Sequence, residues 1–252
     1  MTQIHTAYDV MKEYLITGAE LDGPYQIPVI PPMQLAPKKS IDFVSSKSRS
    51  LKGHKDLTVN FYIDDKSFLQ VWNQPDQYVE HLKCFHSVCS PDFTIASGMP
   101  SALNIYNLYR NHALGYYWAV MGVKIIPSVN IISPKEMPWI FDGTPHRSTV
   151  SCCTNGRVRS KSARMEFCEN FKEMLDAIEP TKVVIVGIVP DELNVDVPII
   201  NLNSRSQNMK EMFRKEGPWE QSVADQQNEE TKKPVGRRNA EADFSVLWDE
   251  ET

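Results

Sequence analysis

Two apolar runs constrain the fold of this chain more than any other feature: VKIIPSVNII at 123–132 and KVVIVGIV at 182–189. Runs this rich in β-branched residues, with few polar breaks, read as strands covered on both faces. Each follows a helical pattern. Pro100 to Met121 forms one long predicted helix, with the proline in its first turn. Between Ser162 and Ile178, the residues Phe167, Cys168, Phe171, Met174, Leu175 and Ile178 recur at three- and four-residue intervals and make one apolar face.

The alternation extends in both directions. LTVNFYI (57–63), HSVCSPDF (86–93), STVSCCT (148–154) and VPIINL (197–202) read as further strands, and KSFLQVWNQPDQYVEHLKCF (66–85) as a helix interrupted near Pro75. AYDVMKEYLIT (7–17) reads as a short N-terminal helix, and IPVI (27–30) and Ile41–Val44 as short apolar pieces. Alternating strands and helices imply an α/β fold with right-handed crossovers. The expected architecture is a parallel or mostly parallel sheet with flanking helices, either open or curled into a partial, irregular barrel.

One α/β domain is expected over 1–203, because no second zone of composition interrupts it. From 204 the character changes. RSQNMKEMFRKE can form a short helix, but EQSVADQQNEETKKPVGRRNAEAD has too little apolar content to pack. The end, DFSVLWDEET, sets Phe244, Leu247 and Trp248 among acidic residues. Such a segment can dock into a groove on a partner protein, or it can be a solvated tail.

Bulk charge excludes some functions. Lys and Arg number 27 against 32 Asp and Glu, a net charge of −5. That balance opposes strong non-specific binding to nucleic acid or an anionic membrane, although a local basic patch stays compatible with it. No run is long and apolar enough for a membrane span, and MTQIHTAYDVMKEY lacks the pattern of a secretory signal. The five cysteines have no zinc-like spacing and read as reduced, mostly buried thiols of a cytoplasmic protein.

Candidate chemistry clusters where parallel strands end, since ligands of such sheets bind outside the carboxyl ends. Asp64 and Asp65 follow one strand and Asp92 the next. Together they can hold Mg²⁺, or divide into a general acid and a general base. The competing reading is that Asp64 or Asp65 caps the following helix, and for Asp65 capping outweighs catalysis. Arg110 is the one Lys, Arg, Asp or Glu between Asp92 and Lys124. It can pair with Asp92 or Asp64, bind a substrate anion, or reach out to water. Asn104, Asn107 and Asn111 share a helix face beside it and make a polar stripe suited to a cavity or polar interface. Asn130 falls toward the carboxyl end of the 123–132 run. Arg157, Arg159 and Lys161 crowd the start of the next helix after an Asn155–Gly156 turn, a second candidate anion site and a conceivable nucleic-acid contact. Cys152–Cys153 can include a nucleophile, but no basic partner is apparent.

The strings IDFVSSKS, FYIDD, SPDF, MPSALNIYNLYRN, LGYYW, VKIIPSVN and FDGTP, in this order, resemble one family, domain of unknown function 4417. The resemblance covers about residues 27–200. It implies a relative of bacterial, archaeal and phage proteins often associated with mobile elements, and so a phage or mobile-element accessory protein that binds a host protein or nucleic acid. The alternative is an enzyme acting on an anionic, perhaps phosphate-containing, substrate at the strand ends. The resemblance transfers no mechanism, but it makes the polar positions above parts of a motif. The aromatic–acidic tail lies outside it.

Overall fold

In a computed structural model of the chain, residues 12–48 and 55–216 are described. Phe244, Leu247 and Trp248, and residues 7–11 of the predicted N-terminal helix, lie outside the described residues. The chain divides into a unit of residues 1–209 and a unit of residues 210–252. Of the second, 210–216 are described, as the end of a helix.

A 3-10 turn at Glu13–Ile16 leads into a small hairpin, β1 (Leu21–Asp22) and β2 (Ile27–Pro28), paired antiparallel. The sequence reading anticipated β2 but not β1. Then come β3 (Lys39–Asp42), the short α1 (Phe43–Ser46) capped by the Asp42 side chain, and β4 (Leu57–Asn60). The predicted interrupted helix is α2 (Gln70–Asn73), a 3-10 turn at Pro75–Tyr78 and α3 (Val79–Lys83). Proline cannot supply an N–H to the helix, so the break falls at Pro75. β5 (Ser87–Cys89) is followed by the long α4 (Ser101–Val120) and by β6 (Ile125–Ile126). Pro100 stands at the N-cap of α4, one position earlier than predicted.

β7 (Thr149–Cys153), α5 (Lys161–Ile178), β8 (Lys182–Val186), β9 (Ile199–Leu202) and α6 (Arg205–Glu216) complete the order. Ser160 caps α5 through its hydroxyl, which accepts from Ala163 N–H. β6 is much shorter than its apolar run because Pro127 has no N–H to offer a ladder.

All seven strands from β3 to β9 are parallel to their neighbours. β3-β4-β5-β6 form one sheet and β7-β8-β9 another. A parallel bridge between Ser128 and Ser151 joins them, with Val129 N–H donating to Ser151 O (2.7 Å) and Ser151 N–H to Pro127 O (2.8 Å). The outermost strands also approach. The Ser40 hydroxyl donates to Asn203 O (2.5 Å), the Asn208 amide donates to Ser40 O (3.0 Å), and Arg205 lies 3.8 Å from the Asp42 carboxylate. No ladder joins β9 to β3 among the described residues, so the curled sheet is not a closed barrel.

Side-chain alternation along the strands sorts two environments. Ile41, Val59, Phe61 and Val88 face the cluster that includes Trp118 of α4, while Val183 and Ile185 face Phe167, Phe171 and Met174 of α5. Ile126, Val184, Val186 and Leu202 gather on the other face with Tyr62 and Leu35. Phe61 is fully buried and rings Phe43 (4.8 Å), Phe68 (5.4 Å) and Trp118 (5.8 Å) surround it. α4 lies close because Gly115 has no side chain: a Cβ there would come within 2.5 Å of Ile30 and 3.1 Å of Ser90.

Phe61→Ala should lower the unfolding free energy by about 3–5 kcal/mol, since it opens a cavity at the centre of this aromatic cluster. Urea denaturation of the full chain measures it.

Candidate functional site

Four strand ends meet in one cleft of about 330 Å³, lined by Tyr62, Asp64, Asp92, Thr94, Asn130, Cys153, Asn155 and Arg157 among others. Tyr62 and Asp64 follow β4, Asp92 follows β5, Asn130 follows β6, and Cys153 ends β7. Parallel strands in register bring such positions together at the carboxyl edge.

A polar chain runs across the cleft. The Asn130 amide donates to Asp92 Oδ1 (3.2 Å), and Asn130 Oδ1 accepts from Arg157 Nη2 (3.3 Å). A second Arg157 nitrogen, Nη1, donates to Ile131 O (3.1 Å), which fixes the guanidinium. Burial pushes the Asp92 carboxyl up to about 6; Arg157 and the Asn130 hydrogen bond pull it down, and Asp65 adds a smaller push upward. At the floor, the Tyr62 hydroxyl donates to Ser151 Oγ (2.9 Å) and reaches Ser128 Oγ (3.3 Å). Its burial raises the phenol well above the ordinary tyrosine value, so it stays protonated.

The other acidic candidates have different employments. Asp64 caps the 3-10 turn Asp65–Ser67, accepting from Lys66 N–H (3.1 Å) and pairing with the Lys66 ammonium (3.1 Å). Capping therefore falls to Asp64. Asp65 instead accepts from Thr94 N–H (3.1 Å) and the Thr94 hydroxyl (3.0 Å), tying two loops of the rim together. Among the described residues no group of three or more His, Cys, Asp and Glu side chains is placed to hold a metal ion. With Asp64 and Asp65 so engaged, the donor set does not fit Mg²⁺, which favours several hard oxygen ligands.

Arg110 forms no ion pair with Asp92 or Asp64 among the described residues. Its guanidinium lies over Phe93 (3.7 Å from the ring centre) and Tyr106 (4.8 Å), and its Nη2 donates to Asn107 Oδ1 (2.5 Å). Aromatic faces and one amide thus meet the cation. Burial lowers its pKa, opposed by Tyr106 and Asp65, and its buried Nε has no hydrogen-bond partner among the described residues.

The asparagine stripe turns out to clamp main chain. Asn111 accepts from Phe93 N–H (2.7 Å) and donates to Phe93 O (3.2 Å). Asn107 donates to Thr94 O (2.6 Å). Asn104 accepts from Ala96 N–H (3.1 Å) and donates to Ala96 O (3.0 Å) and Met99 O (3.3 Å). The amide has both a donor and an acceptor, so it can replace a neighbouring strand for the ladderless 93–99 segment.

The basic cluster at the start of α5 does not act as one patch. Arg157 turns into the cleft, Arg164 pairs with Glu192 (2.8 Å), and Arg159 and Lys161 are exposed. All five cysteines are free thiols. Cys153 lines the cleft, but burial pushes its thiol up to about 12, far from a nucleophilic thiolate. The sequence reading missed Tyr62 and Thr94 as site residues. For Tyr62 a signal existed: in LTVNFYI it alternates with Phe61 and so faces away from the aromatic core.

Residues 19–203 match the family described as a domain of unknown function, number 4417, and the chain belongs to that family. It is 26% identical over 179 residues to the Gene 1 protein of Mycobacterium phage L5, covering 71% of this chain and 78% of the relative. It is also 26% identical over 163 residues to the Gene 1 protein of Mycobacterium phage D29, covering 65% of this chain and 60% of that relative. No solved structure matches. Both of these relatives are phage proteins, and no helix among the described residues of this chain is long and apolar enough to cross a membrane.

Asn111→Ala should cost about 1–3 kcal/mol, because the buried N–H and C=O of Phe93 lose their partners together. The loss should appear in thermal unfolding, with faster hydrogen exchange along 93–97.

Proposed function

We propose that this phage-type accessory protein binds a small anionic ligand in the carboxyl-edge cleft and performs acid–base chemistry on it. The observation that carries the reading is the Asp92–Asn130–Arg157 chain: a carboxyl raised to about 6 beside a guanidinium held by main chain. Proton transfer is most effective when the group's pKa lies near the working pH. Arg157, fixed through Nη1 and Nη2, retains N–H groups for a carboxylate or phosphate. In this reading Arg157 anchors the anion, Asn130 orients both neighbours, and Asp92 gives or takes the proton. Tyr62 is a neutral donor at the floor.

The reading as a host-protein or nucleic-acid binder, with Phe244, Leu247 and Trp248 as the contact, rests on composition and on the phage relatives. Free thiols accord with action in a reducing cytoplasm.

Sulfate tests the cleft, because its charge is constant over the relevant pH range. Below about 6 Asp92 is neutral, and above it the carboxylate repels an incoming anion. Sulfate affinity measured by calorimetry should therefore fall as pH rises through that value. Asp92→Asn should flatten the pH dependence, and Arg157→Gln should weaken binding about tenfold or more at every pH. Equal affinity in wild type and Arg157→Gln would remove the anchor from the proposal.

A further inference from the structure

The amino edge of the sheet, opposite the cleft, carries a row of three lysines and a histidine that neither the family nor the cleft accounts for. Lys38 immediately precedes β3, Lys55 lies two residues before β4, His86 immediately precedes β5 and Lys124 immediately precedes β6. These strands are consecutive neighbours in the sheet. The main chain fixes the level of the row: His86 N–H donates to Leu57 O (2.9 Å) and Val88 N–H to Lys124 O (2.8 Å). Three inter-strand steps of about 4.8 Å spread the row over roughly 14 Å.

Lys55, Lys83, His86 and Lys124 line a concavity of about 280 Å³ at this edge. The acids nearby are committed. Asp56 pairs with Lys39 (3.5 Å) and Glu80 with Lys83 (2.7 Å). Lys38, Lys55 and Lys124 are exposed and form no ion pair among the described residues. The field of this cluster is felt by its own histidine. His86, half-buried and hydrogen-bonding to Ser87 Oγ (3.0 Å), has its pKa lowered by burial and then by Lys124 and Lys38. In a chain of net charge −5, Lys55 and Lys124 on the hollow and Lys38 on the same edge form a local positive patch.

We infer that the amino edge of the sheet, through Lys38, Lys55 and Lys124, binds the phosphodiester backbone of a nucleic acid. A linear array of exposed ammonium groups suits consecutive phosphates, which are read as charge and not as sequence. Lysines on successive strand ends reach outward on flexible stems and can follow a backbone without a shaped base pocket. The site is separate from the carboxyl-edge cleft and does not depend on its chemistry.

Fluorescence anisotropy of a labelled oligothymidylate, titrated with the full chain at low salt, tests the inference. Binding should weaken steeply with salt. The triple variant Lys38→Gln/Lys55→Gln/Lys124→Gln should lose about tenfold or more in affinity, and its log–log salt slope should flatten by about 2, at about 0.7 per lost phosphate contact. The corresponding triple Lys→Arg variant should keep the binding, which separates charge from folding. Arg157→Gln, on the other edge, should leave it within about twofold. No binding by the wild type at low salt, or undiminished binding by the Lys→Gln variant, would overturn the inference.

Discussion

The clamp between α4 and the segment after β5 is the interaction on which the site depends. Three asparagines one turn apart grip Phe93, Thr94 and Ala96 by their main-chain groups. Residues 93–99 have no strand ladder, so these amides supply the partners that a sheet neighbour would otherwise give. Asp92 immediately precedes the clamped segment, and Thr94 within it holds Asp65. The same grip lays Phe93 under Arg110. A carboxyl held half-buried, its pKa raised to about 6, follows from where this clamp stops.

The parallel sheet gives the molecule two chemically different edges. Side chains at the carboxyl ends of β4, β5, β6 and β7 converge on one cleft that mixes a carboxyl, amides and a guanidinium. The amino ends of β3, β4 and β6 carry lysines. Between them, Thr58 and Ser87 share a hydrogen bond of 2.8 Å, and Tyr62 bridges to Ser128 and Ser151. Buried polar groups on this face are satisfied by one another, so the strands tolerate residues that a purely apolar core would exclude.

The elements that rest on local pattern were legible in the sequence. β7, β8, β9, α5 and the break at Pro75 follow from β-branched runs, three-four spacing and proline chemistry. Asp92 was legible as a residue at a strand's carboxyl end, although the strand stops at Cys89 and not at 93 as the run HSVCSPDF suggested. What pattern cannot encode is the partner across space. Arg110 stood out as an isolated charge, and a carboxylate was the natural expectation for it. The ring of Phe93 takes that place, because the Asn111 clamp brings residue 93 back onto α4. The asparagines showed their shared face but not that main chain would occupy it. The truncated β6 and the β1–β2 hairpin were hidden for a related reason: a proline and a two-residue strand leave weak periodicity.

The account stands on the ionisation of one carboxyl beside one guanidinium. Carboxyl-detected NMR titration of Asp92 in the full chain measures it directly. The midpoint should lie near 6 in the wild type and move higher in Arg157→Gln, because the guanidinium opposes the desolvation of the carboxylate. A midpoint near the ordinary aspartate value of about 4 in both proteins would contradict the account.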